Sequence, residues 1–149
     1  MSILTEIFTA APEHAMSRAR AHDEGRPPTP VGDLFETTGV TDLELEVLGE
    51  IVARAVGVGG IDTELPPVHL ELDELSQVPD AVVAACAELP ALDADPTVSV
   101  SIDAVIASFC ALEDIDLAEP EASDLVRQVI DLAVLAHRRG DGLYLWTSL

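Results

Sequence analysis

Between Pro120 and Arg139 the apolar residues Leu125, Val126, Val129, Ile130, Leu132, Ala133 and Ala136 recur at helical spacing over a wide stripe. A helix with so broad an apolar face must be covered on more than one side, which predicts the centre of a core rather than a surface element. Pro120 suits the first turn, where the missing N–H leaves no intrahelical bond unmade. His137, Arg138 and Arg139 stand where cations favour the helix dipole, and Gly140 supplies the left-handed residue that ends the helix.

What covers this helix is read from the remaining periodicities. Ile3 to Thr9 predicts a strand, with Ile3, Thr5, Ile7 and Thr9 on one face and Leu4, Glu6 and Phe8 on the other. Apolar residues on both faces imply an interior strand covered by helices on at least one side. Leu143, Leu145 and Thr147 alternate with Tyr144, Trp146 and Ser148 in a final strand, expected to pair with the first.

Between these ends, Pro12 opens a helix to about Asp23, and Gly25 to Asp33, with Pro27, Pro28 and Pro30, is a loop because proline lacks the donor both regular structures need. Leu34 to Thr38 is a short extended segment. Thr41 and Glu44 then form a capping box that starts a helix from Asp42 to about Ala55, its inner stripe Leu45, Leu48, Ile51, Val52 and Ala55.

Val56 to Pro67 is a second loop, and Val68, Leu70 and Leu72 alternate with His69, Glu71 and Asp73 as a half-buried strand does. Pro79 and Asp80 open another helix that Pro90 closes, and a further helix is expected from about Ser99 to Leu112. The fold class predicted is α+β: one helix-dominated domain spanning 1–149, with a small sheet that contains both terminal strands.

Hydrophobic residues make up 48% of the chain, enough apolar surface to fold, whereas an acidic disordered tail would lack it. Only 3% are aromatic, so the core is filled largely by Ala, Val, Leu and Ile. The longest apolar run, Ile130 to Ala136, is interrupted by Asp131 and falls far short of the roughly 20 residues of a membrane span. The start, Met1 to Glu6, lacks the basic flank and apolar stretch of a signal peptide, which points to a cytoplasmic location. Cys86 and Cys110, each among apolar neighbours, fit buried thiols better than a bridge.

Charge excludes more. Twenty-eight acidic residues against seven basic ones give −21, with every basic residue an arginine and Arg138–Arg139 the only adjacent pair. Displacing counterions from a phosphate backbone needs clustered cations, so nucleic acid and anionic membranes are disfavoured partners. The absence of lysine beside abundant Ala, Val, Asp, Glu and Arg reads as the coding bias of a GC-rich genome in preference to salt adaptation.

No motif carries chemistry by itself. His14 and His22, with Asp23 and Glu24, lack the i, i+4 spacing of a zinc helix. Asp93 and Asp95 lack the glycine and terminal glutamate of a calcium loop. Glu71, Asp73 and Glu74 form an acidic cluster expected by chance in so acidic a chain, and Gly57, Gly59 and Gly60 lack the lysine of a phosphate loop. No catalytic residue, cofactor or metal is assigned. Tyr144, Trp146 and His69 are the candidates for a pocket or an interface.

In Ser2–Thr9, Gly39–Leu48 and Gly142–Leu149, under a fifth of its length, the chain resembles short bacterial proteins of no assigned activity that carry a strand at each end and helices between. The resemblance implies that architecture and no residue roles. The expected function is non-catalytic: an acidic domain that binds a basic protein partner, as an immunity-type inhibitor or a regulatory subunit. The alternatives are a small-molecule-binding protein or enzyme with a pocket between sheet and helices, and a self-associating homodimer.

Overall fold

The two terminal strands lie side by side at the centre of one sheet. The computed structural model describes residues 3–148; Ser2 and Leu149, the outer ends of the segments that carry the resemblance, lie outside them. In chain order the described residues form β1 (Leu4–Ala10), α1 (Pro12–Asp23), β2 (Leu34–Thr38), α2 (Asp42–Ala55), β3 (Leu75–Gln77), α3 (Asp80–Asp93), α4 (Ile102–Cys110), α5 (Glu119–Arg139) and β4 (Gly142–Thr147). The sheet is antiparallel in the order β2-β1-β4-β3, an α+β arrangement in which helices dominate.

The register of β1 on β4 runs from Thr5 opposite Thr147 to Ala10 opposite Gly142. Strand alternation then divides the molecule into two layers. Ile7, Leu143 and Leu145 join the inner stripes of α2, α3, α4 and α5 in the larger core. Phe8, Ala10, Leu75 and Tyr144 face the opposite way and meet Ala15 and Ala19 of α1 in a smaller one.

The helix read as central from its apolar stripe is central: Leu125, Val126, Ile130, Ala133 and Ala136 of α5 are each at most 1% exposed. Gly140 ends it at φ +70°. The capping box of α2 forms as its spacing requires, with the Glu44 carboxylate accepting from the Thr41 N–H at 2.9 Å. No described helix is long and apolar enough to cross a membrane.

Three local expectations are corrected. Val68 to Leu72 is not a strand: the Leu72 N–H bonds back to the His69 carbonyl, and Leu70 is 93% exposed at the turn's tip. The alternation there comes from a turn that throws one residue outward, and the strand follows as Leu75–Gln77. Pro90 lies inside α3 rather than at its end, because only one donor is lost and the chain completes another turn to Asp93. The helix expected from Ser99 begins at Ile102, where the Ser101 hydroxyl accepts the Ala104 N–H and sets the start.

Candidate functional site

The α1 face of the sheet carries a buried carboxylate. Glu6 stands in β1 directly beside Trp146 of β4 and is only 3% exposed. A charge so placed persists only if paired. Arg18 of α1 supplies the pair: its Nε and Nη2 donate to the two carboxylate oxygens of Glu6, both at 2.9 Å. Its Nη1 donates to the Thr29 carbonyl at 2.8 Å, which pins the proline-rich loop to α1.

One helical turn beyond Arg18, His22 brings Nε2 to 3.0 Å from Oε1 of Glu6 and stacks its ring on Trp146 with centroids 3.9 Å apart. Burial pushes the Glu6 carboxyl up, but the hydrogen bonds and charges of Arg18 and His22 outweigh it and hold the group below its ordinary value. With both oxygens already engaged by Arg18, Glu6 is not a free general base. The cluster fixes the plane of the Trp146 indole.

Trp146 and His22 form one wall of a cleft of about 280 Å³ completed by Asp23, Glu74, Thr147 and Ser148. A second cleft of about 170 Å³ shares Glu74 and Thr147 with it and adds Asp42 and Asp73. Among the described residues no arginine lines either cleft. This end of the sheet thus carries an acidic hollow of two neighbouring clefts, one on the Trp146 side and one on the Leu145 side, built from the end of α1, the start of α2, the segment before β3 and the end of β4.

The other arginines with close carboxylate partners lie outside this hollow. Arg26 pairs with Glu24, Arg127 with Asp103 and Arg139 with Asp33, all exposed. Such surface pairs contribute little individually. Asp23, Asp42, Asp73 and Glu74 have no arginine in salt-bridge range among the described residues.

Of the residues singled out from sequence, Trp146 lines the hollow, whereas Tyr144 and His69 do not. His69 is exposed in the turn, where its Nδ1 accepts the Glu71 N–H at 3.1 Å. Tyr144 shares a strand face with Trp146, yet its ring is fully buried against Phe8, with centroids 5.8 Å apart. It lies so close over Gly142 that a Cβ there would stand 2.8 Å from the ring.

The Tyr144 hydroxyl has no hydrogen-bond partner among the described residues, and burial, then Asp80, Asp141 and Glu13, push its pKa up. An unsatisfied buried hydroxyl costs about 1–3 kcal/mol. Tyr144→Phe is therefore expected to leave the urea-unfolding midpoint unchanged or raise it. A loss above about 1 kcal/mol would show that the hydroxyl makes a stabilising bond after all.

The remaining candidates serve local structure. Asp95 accepts the N–H and hydroxyl of Thr97, which hold its carboxyl below the usual range, and Asp93 accepts the Ile102 N–H. His14 is exposed, and no group of three or more His, Cys, Asp or Glu among the described residues is placed to hold a metal ion. Cys86 and Cys110 are free thiols, and burial pushes Cys86 up to about 12. Sequence reasoning missed Glu6 and Arg18. The available signal was the α1 face of Ala15, Arg18, Ala19 and His22 at helical spacing, in which the two long polar side chains sit among small apolar residues.

Comparison of the chain with protein-family models, with curated proteins and with solved structures found no match.

Proposed function

We propose that this chain is a non-catalytic binding domain that engages a basic segment of a protein partner at the acidic end of its sheet, in the manner of an immunity-type inhibitor or a regulatory subunit. The observation that carries the reading is the pair of neighbouring clefts, sharing Glu74 and Thr147, that Asp23, Asp42, Asp73 and Glu74 line with no arginine among the described residues of their walls. A charge of −21 adds long-range attraction for a basic partner and repels acidic ones. The indole of Trp146, held in place by His22 and Glu6, offers an aromatic surface next to those carboxylates, a combination that suits a guanidinium or ammonium group.

The test compares the tagged wild-type chain with an Asp42→Asn, Asp73→Asn, Glu74→Gln variant in pull-downs from native lysate. The expected result is a stoichiometric basic protein held by the wild type, released as salt rises, and lost from the variant. Equal retention by both proteins would remove the hollow from the function, and reproducible failure of the wild type to retain any basic protein would overturn the reading.

A further inference from the structure

The two edges of the sheet are treated differently by the chain. Outside β3 the segment Pro66–Val68 runs alongside: Pro67 bridges Ser76, the Val68 N–H bonds to the Leu75 carbonyl at 3.0 Å, and the Gln77 N–H bonds to the Pro66 carbonyl at 3.2 Å. Outside β2 no described segment pairs. The register of β1 on β2, with Gly39 bonded to Ile3 and Thr9 bonded to Asp33, turns the odd-numbered residues of β2 inward. The N–H and C=O groups of Leu34, Glu36 and Thr38 therefore point away from the sheet.

We propose that this free edge of β2 accepts an extended, basic strand of the protein partner by antiparallel or parallel addition. The inference rests on the reading above that the partner is basic, and adds where and how it docks. Main-chain pairing supplies the affinity of such additions, and side chains choose the occupant. Here the chooser is Glu36, exposed at mid-strand with no close cation among the described residues, while its cross-strand neighbour Glu6 is already neutralised by Arg18.

Charge decides between a foreign strand and a second copy. Two-fold pairing of β2 with itself about Glu36 sets two like carboxylates opposite each other and brings together two chains of −21 each, both unfavourable. A strand with Lys or Arg opposite Glu36 meets the reverse. Beyond Thr38 the same chain reaches Thr41 and Asp42, which line the second cleft, so the β2 edge and the acidic residues of that cleft are separated by only a few residues of sequence.

The experiment records amide spectra and hydrogen exchange of the full chain with a short capped peptide of alternating lysine and valine, and with its fully N-methylated counterpart, which keeps the charge but lacks every amide donor. The expected result is slowed exchange at Leu34, Glu36 and Thr38 with the first peptide alone, and binding about tenfold weaker in Glu36→Lys. Equal binding of both peptides, with shifts at Asp42, Asp73 and Glu74 and unchanged exchange at Glu36, would overturn strand addition and leave the basic-partner reading standing. Binding of neither peptide would count against both.

Discussion

Replacing Arg18 with alanine is expected to destabilise the fold by about 3–5 kcal/mol, the usual cost of leaving a buried charge without its partner. Glu6 is too deeply buried to recover that loss from water, and His22 contacts only one of its oxygens. Arg18→Lys is expected to restore little, because an ammonium group cannot meet both oxygens and the Thr29 carbonyl in one plane. Replacing both partners with apolar residues of similar size, Glu6→Leu with Arg18→Met, should recover most of the stability, since the desolvation of two charges is removed together. Urea unfolding of the three variants at neutral pH measures all of this; an Arg18→Ala loss below about 1 kcal/mol would show the pair to be energetically idle.

The same pair sets a pH dependence. The folded Glu6 carboxyl lies below its ordinary value, so its stabilising contribution is complete above the unfolded glutamate pKa, about 4.3, and is lost as pH falls through the lower folded value. The gap between wild type and Arg18→Ala should therefore narrow as the pH is taken down through that window. A gap that stays constant to the bottom of the window would assign the loss to packing by the arginine stem instead.

Phe8→Ala is expected to cost about 3–5 kcal/mol, through the cavity it leaves in the smaller core. Phe8 is fully buried, stacks on Tyr144 and lies 5.8 Å beneath the Arg18 guanidinium, while its other neighbours on α1 include the alanines Ala15 and Ala19. Alanines cannot swing into the void, so α1 loses its seat on the sheet. Because His22 rides on α1, the fluorescence of Trp146, the only tryptophan, should change in the folded state of this variant. A comparable truncation in the larger core is expected to lower stability and leave that fluorescence as it was. An unchanged Trp146 signal in Phe8→Ala would show that α1 keeps its position by its loop and ion pair alone.

The sequence by itself determined the elements whose signals are local. The apolar stripe and Gly140 placed α5, the capping box placed α2, and alternation placed β1 and β4 and sorted their faces, because each pattern reflects the period of its own backbone. It failed at Val68–Leu72, where a turn and a strand write the same short alternation, and at β3, whose three residues are too few to show a period. Tertiary structure alone decided the site. Glu6 reads in sequence as one polar residue on a strand face, His22 as a helix residue without a partner at metal-ligand spacing, and Arg18 carries no signal of its own; only the crossing of α1 over β1 and β4 brings the three together beside Trp146. The acidic hollow is likewise assembled from residues that lie as far apart as Asp23, Asp42, Glu74 and Ser148. Contacts between such distant positions leave no periodic trace in the chain, since they depend on how finished elements pack and not on the preferences of any one of them.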